Sequence, residues 1–249
     1  MNKNVENQSN SHTGIRISAR LRAVSSFVPK GSKIADIGTD HGYVPIYLVQ
    51  NGLAEHAVAM DLREGPLERA RAHVAALAAG QRERIELRLS DGMEKLRAGE
   101  AGTVIIAGMG GDLVVRILLG RRDLWDCVDR FILSPQSELD QVRLFLEKEG
   151  FAIAREMMIL DEGKYYTIME AVRGQMKPQT KAERLFGRDL IQKKDATLRD
   201  YLKKERLRVE GICKYLSGEE TPAKARAKES LQKELRLIEE AQNEMQGSD

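Results

Sequence analysis

Residues 33–47, Lys33-Ile-Ala-Asp-Ile-Gly-Thr-Asp-His-Gly-Tyr-Val-Pro-Ile-Tyr47, constrain the fold more than any other stretch of the chain. Ile34 to Ile37 reads as a short buried strand, Gly38 to Gly42 as a tight turn, and Tyr43 onward as the first turns of a helix. A strand, a glycine turn and a helix in that order open the nucleotide site of doubly wound α/β folds. This turn departs from the dinucleotide pattern in its charge. Asp36 ends the strand, and Asp40 stands where a glycine would let the backbone approach a pyrophosphate. Two carboxylates repel a pyrophosphate and attract a cation. A cationic ligand that carries an adenosine, such as S-adenosylmethionine, meets that demand; a dinucleotide meets it poorly.

The chain of 249 residues is long enough for one full α/β domain and an appendage. It contains no run of ~18 apolar residues, so no membrane span is expected. Residues 1–14 are polar and Asn/Ser-rich without an apolar core, so a disordered lead-in rather than a signal peptide is expected there. Cys127 and Cys213 lie far apart with no Cys-x-x-Cys or Cys/His cluster, which points to a reducing cytoplasm and to no metal site. Cys127 is expected to serve packing. The basic surplus is local: residues 181–214 hold 11 Lys+Arg against 6 Asp+Glu.

An amphipathic helix is expected over Ile17–Phe27, capped by Ser18, with Leu21, Val24 and Val28 facing the core and Arg16, Arg20 and Arg22 outward or over the site. Strands ending at Asp61, Leu89, Ala107 and Leu133 then alternate with helices; Pro66 is placed at the first position of a helix running to Gly80. Two longer strands, Phe151–Leu160 and Lys164–Val172, flank the turn signal Asp161-Glu-Gly163. The expected fold is α/β: a Rossmann-like, mostly parallel sheet of the class I methyltransferase type with an antiparallel terminal hairpin. Residues 15–174 form this expected domain, and residues 175–249 an antiparallel coiled-coil hairpin. Residues 178–216 read as helical throughout, an arm of roughly 55–60 Å at ~1.5 Å per residue, closed by a turn at Ser217–Pro222. A second helix with Leu231, Leu235, Ile238 and Met245 on one stripe follows.

The loops at the carboxyl ends of the strands share one edge of the sheet, where ligands bind in this fold class. Asp36 or Asp40 can hold the amino group of an amino-acid tail, while Gly38 and Gly42 permit the turn. Asp61, about twenty residues past the glycine turn, can accept two ribose hydroxyls, with Glu64 a competing candidate. Asp91 can accept a hydrogen bond from an adenine amine or cap a helix, and Gly92 lets the backbone pass the ring. Gly108-Met109-Gly110-Gly111 follows the fourth strand, where acceptor meets donor, and offers a backbone floor for a flat base. The chain lacks the Asn/Asp-Pro-Pro-Tyr clamp for exocyclic amines and the Pro-Cys of cytosine-C5 chemistry. A ring nitrogen with an in-plane lone pair needs neither device, and positioning accounts for most of the catalysis. A nearby carboxylate stabilises the cationic product, and His41 is a candidate base. On the C-terminal helices, Lys193, Lys194, Arg199, Lys203, Lys204, Arg206 and Arg208 could follow a phosphate backbone or simply form a solvated face.

The chain resembles the bacterial tRNA adenine-N1 methyltransferases of the TrmK family. The resemblance is carried by Ser18-Ala-Arg-Leu21, Asp36-Ile-Gly-Thr-Asp-His-Gly-Tyr-Val-Pro45, Ala107-Gly-Met-Gly-Gly111, Leu133-Ser-Pro-Gln136, Glu162-Gly-Lys-Tyr-Tyr166 and the coiled-coil tail. It implies methyl transfer from S-adenosylmethionine to N1 of the adenine at tRNA position twenty-two, by a cytoplasmic enzyme for which a monomer is favoured. It also implies that Asp36, Gly38, Asp40, Asp61, Asp91, Gly92 and Gly108 line the cofactor. Asp40, His41 and Tyr43, with Met109, Gly110 and Gly111, face the base, and the tail helps grip the tRNA. Two other readings remain open on the residues alone: a small-molecule methyltransferase with a dimerising coiled coil, and a nucleotide-binding interaction module.

Overall fold

The structure, a computed structural model, describes residues 14–216 and 221–247. The expected lead-in (residues 1–14) therefore lies, apart from Gly14, outside the described residues, as do residues 217–220 of the expected turn.

Apolar residues alternate to both faces of β1 (Ser32–Ile37), β2 (Ala54–Asp61), β4 (Thr103–Ala107) and β5 (Arg130–Ser134), so these strands need cover on two sides. Ile37, Met60, Ile106 and Leu133 pack under α5 (Gly111–Gly120) and α6 (Leu139–Lys148). Ile34, Ala57, Ile105 and Ile132 pack under α1 (Ala19–Ser25), α2 (Tyr43–Gln50) and α3 (Glu64–Ala75). With β3 (Ile85–Leu89), β6 (Phe151–Asp161) and β7 (Lys164–Arg173), the sheet has seven strands in the order β3-β2-β1-β4-β5-β7-β6. Only β7 runs antiparallel to its neighbours. This is the expected mostly parallel sheet with a terminal hairpin. Strand order reverses between β1 and β4, and Ile37 stands beside both Met60 and Ile106 in register. The carboxyl ends therefore open a crevice at that switch point.

Two helices differ from expectation. Pro66 is the third residue of α3, not the first, because the chain already turns helical at Glu64 after Arg63. That helix stops at Ala75, and Gly80 falls inside the separate short helix α4 (Ala79–Arg82).

The C-terminal arm is not one rod. It is α7 (Lys181–Phe186), α8 (Arg188–Gln192) and α9 (Ala196–Tyr215), broken where Gly187 takes φ +96° and Lys194 takes φ +52°. At 20 residues α9 is about 30 Å long, half the expected reach. Thr180 and Glu183 form a capping box that starts α7, and Thr221 with Pro222 starts α10 (Pro222–Gln246). Leu198, Leu202 and Val209 of α9 bury against Ile238, Ala241 and Met245 of α10 together with Phe186, Leu190 and Met158. Ile212, one turn beyond Val209 on α9, is exposed.

These helices are tied to the sheet by a buried ion pair. The Arg143 side chain on α6 is 0% exposed and donates to Glu156 Oε1 of β6 at 2.7 and 2.9 Å. Its remaining Nη1 donates to the carbonyls of Arg184 and Leu185 at the end of α7. Asp189 of α8 accepts the Glu156 N–H at 3.1 Å.

Candidate active site

The crevice at the switch point is a cleft of roughly 540 Å³. Its floor comes from the ends of β1 and β2. The Gly38 and Thr39 N–H groups both donate to the Met60 carbonyl, at 2.8 and 2.9 Å, folding the β1–α2 turn onto β2. Gly38 has φ +75°, and a Cβ there would fall inside the Met109 methyl. The positive φ favours glycine, and the flexible end of Met109 would have to shift to admit any Cβ. Asp61 Oδ2 accepts the Asp40 N–H at 3.2 Å and Oδ1 accepts the Arg63 N–H at 3.0 Å, so the carboxylate is fixed at the edge of the floor.

Asp36 is 5% exposed, and burial raises its carboxyl from 3.8 to about 6, with nearby Asp61 adding to the rise and Thr39 opposing it. A carboxylate kept this far from water is stabilised by an incoming cation, because charging it alone in that environment is costly.

Asp40 takes φ +50°, and its side chain faces outward to Arg69 at 3.4 Å and His41 at 3.5 Å. It lines the cleft, but only its backbone N–H engages the acid pair. His41 and Tyr43 stack with ring centroids 5.2 Å apart and 9° between planes. His73 of α3 joins them in a three-ring cluster, 5.3 Å from Tyr43 and 6.0 Å from His41, and its Nδ1 bonds the His41 carbonyl at 2.9 Å. Sequence reading missed His73: nothing local to α3 marks it, and only the α2–α3 packing brings it beside the turn.

Asp91 and Gly92 (φ +52°) line the far wall beneath Ile117. Gly108 (φ +86°) and Met109 line the acceptor side. Gly110 and Gly111, expected with Gly108 and Met109 to floor the acceptor base, lie outside the lining of this cleft. A Cβ on Gly111 would meet the Ser137 carbonyl oxygen at 2.6 Å, and its N–H donates to Glu138 at 3.0 Å. These two glycines pack α5 against the β5–α6 turn instead.

Arg20, expected outward or over the site, lines the cleft, as do Thr39, Arg63, Arg116 and Gln136, which sequence reading does not single out as site residues. The Leu133-Ser-Pro-Gln136 motif was the available signal for Gln136, whose N–H donates to the Met109 carbonyl at 2.8 Å. Arg20 is set by a long-range contact. Asp161, the last residue of β6, accepts its N–H at 3.0 Å, and this bond with those of Ser18 and Ala19 holds Asp161 below the usual carboxylate range.

The basic residues of the tail are less available than the sequence suggests. Arg206 pairs with Glu210 and Glu239, and Arg208 pairs with Glu205 and Glu234, so both stitch α9 to α10. Lys193 pairs with Asp189 at 2.7 Å, and Lys204 lies 5.3 Å from the Tyr165 ring centre. Lys203 is exposed, and Lys194 sits at the α8–α9 break. Cys127 is exposed, so it does not serve packing as expected. Among the described residues no three His, Cys, Asp or Glu side chains converge as a metal site, and no helix is long and apolar enough to cross a membrane.

The family model described as a methyltransferase domain matches residues 17–169. The tRNA (adenine(22)-N(1))-methyltransferase of Bacillus subtilis is 36% identical over 160 residues, covering 64% of this chain and 66% of that protein. The crystal structure of the B. subtilis m1A22 tRNA methyltransferase TrmK superposes with a TM-score of 0.79 at 30% identity, over 91% of this chain and 98% of that one. Sp1610 of Streptococcus pneumoniae, a putative tRNA (m1A22) methyltransferase solved in complex with S-adenosyl-L-methionine, gives a TM-score of 0.80 at 32% identity, over 91% and 99%. Sheet order, acid-floored cleft and these matches agree: the chain belongs to the TrmK family of class I methyltransferases.

Proposed function

We propose that this protein transfers a methyl group from S-adenosylmethionine to N1 of the adenine at position 22 of tRNA. The observation that carries the reading is the buried Asp36 carboxyl beside Asp61, a floor that a cationic adenosine ligand satisfies. The residues present fit that donor. Asp36 would take its ammonium group, Asp61 the ribose hydroxyls, and Asp91 with Gly92 the adenine, while Gly38 and Gly108 keep the walls clear of side chains. The substrate follows from the relatives, whose names specify adenine 22 and N1.

S-adenosylmethionine supplies the methyl group from a sulfonium centre. The acceptor N1 brings its own in-plane lone pair and carries no proton there, so the chain need not remove one before transfer. Its work is placement and charge. His41 and Tyr43 offer a stacked π surface at the mouth to an extruded base. Met109 packs beneath the Gly38 turn and limits the depth of entry. Asp40, its exposed carboxylate beside Arg69 and His41, supplies negative charge near the methylated ring, which becomes cationic. In this reading residues 15–174 hold donor and base, and residues 175–249 buttress the β6–β7 edge. One chain carries every element named, so a monomer suffices, and the substrate places it in the cytoplasm.

The test is to incubate the protein with methyl-labelled S-adenosylmethionine and an undermodified tRNA transcript, then digest and map the product. N1-methyladenosine at position 22 is expected. Label recovered as N6-methyladenosine, or in no tRNA, overturns the proposal.

A further inference from the structure

We propose that Arg20, Arg63 and Arg116 form a phosphate clasp around the mouth of the donor cleft, and that this clasp rather than the helical hairpin provides the main electrostatic grip on RNA. The inference rests on the RNA-methyltransferase reading above.

The three arginines come from separate places, α1, the residue before α3, and α5, yet all line one cleft. Among the described residues none of the three has a carboxylate partner. Arginines elsewhere commonly do: Arg88 pairs with Glu86 and Glu100, Arg121 with Asp123, Arg122 with Glu149, and Arg130 with Glu170. On the hairpin, Arg206 and Arg208 are each held by two glutamates, while Arg199 donates to the Lys194 carbonyl at 3.4 Å rather than to a carboxylate. A phosphate reaching those two must displace existing ion pairs. One reaching the cleft mouth meets unpaired guanidinium groups.

The charge pattern also excludes the donor as their main ligand. Three cations around a floor of buried carboxylates oppose, rather than assist, a sulfonium and an ammonium. The donor carries a single carboxylate, whereas a strand of RNA presents a phosphate at every nucleotide. An acidic floor under a basic rim is therefore suited to a cation below and a polyanion above.

Arg20 is the anchor. Its main-chain N–H is fixed by Asp161, its guanidinium carbon lies 5.0 Å from the Tyr166 ring centre, and its Nη2 is 3.1 Å from where a Cβ on Gly108 would stand. Stacking orients the plane and leaves its N–H donors available for bidentate contact with a phosphate. The β6–β7 hairpin thus positions a cation directly beside the β4–α5 loop, where the acceptor base must enter.

The experiment measures binding of an unmodified tRNA transcript to the full chain as a function of KCl, with S-adenosylmethionine affinity measured in parallel. The variants are Arg20→Gln, the triple Arg20→Gln/Arg63→Gln/Arg116→Gln, Lys203→Gln/Lys204→Gln, and Arg82→Gln as an exposed arginine off the cleft. Each lost phosphate contact lowers the log–log salt slope by about 0.7–0.9. The triple variant should therefore lose about 2.1–2.7 in slope and bind tRNA roughly a hundredfold more weakly at low salt, with cofactor affinity within about twofold of the parent. The lysine pair and Arg82→Gln should each change the slope by less than about half. Three results overturn the clasp: the lysine pair takes the slope loss, Arg82→Gln matches Arg20→Gln, or the arginine variants lose the cofactor. If the unaltered protein neither binds nor methylates tRNA, the RNA reading itself falls, and the clasp with it.

Discussion

Replacing Asp36 by asparagine separates what burial costs the fold from what the cofactor returns. The Asp36 carboxyl is moved from 3.8 to about 6, chiefly by burial. The folded state then binds more protons than the unfolded chain between those values. The group's contribution to stability is complete below about 3.8 and is lost as pH rises through about 6. By neutral pH the ionised residue has cost the ligand-free fold up to about 3 kcal/mol. An asparagine side chain at this position carries no charge to desolvate. The ligand-free Asp36→Asn protein should melt higher than the parent at pH 7 by up to about 6–12 °C, taking ~2–4 °C per kcal/mol for a chain of this size. At pH 4 the two should coincide. Added S-adenosylmethionine should raise the melting temperature of the parent and have little effect on Asp36→Asn, since the carboxylate that its ammonium neutralised is gone. Calorimetric scans at both pH values, with and without cofactor, read all of this. A variant no more stable than the parent at pH 7, or one with equal differences at pH 4 and 7, refutes the burial argument. Undiminished cofactor stabilisation refutes the ammonium role.

Two further predictions concern the frame. Glu156→Gln leaves the buried Arg143 guanidinium without its counter-charge and should cost about 3–5 kcal/mol in denaturant unfolding, whereas Arg143→Met/Glu156→Leu should recover much of that loss. A double variant as unstable as the single one would mean that the Arg184 and Leu185 carbonyls, and not the charge pair, hold α7. Gly38→Ala should lower stability by about 1 kcal/mol or more and weaken cofactor binding, because φ +75° opposes a Cβ and the Met109 side chain would have to move aside. Calorimetric titration checks it, and an alanine variant that binds cofactor normally would remove the turn from the site.

Much of the fold was legible because its signals are local. Alternating apolar runs define the strands of the sheet, and Asp36, Asp61 and Asp91 sit at or just beyond strand ends, so chain order alone brings them to one edge. The Gly38 turn and the Thr221-Pro222 start of α10 were equally readable. The α7–α9 breaks were not, since Lys194 has no side-chain signature for the left-handed region and its conformation is dictated by the packing of α8 and α9.

The chain by itself determined a strand–turn–helix with acids where a pyrophosphate binder would have glycines, and hence a cationic adenosine ligand. Tertiary structure decided how those residues are used. Burial, which no sequence pattern reports, raised Asp36; Asp161, 141 residues from Arg20 in sequence, fixed that arginine over the cleft. The basic run of α9 looked like an RNA surface until the glutamates of α10 were seen opposite Arg206 and Arg208. Charge is countable along a chain, but whether it is free depends on what folds against it.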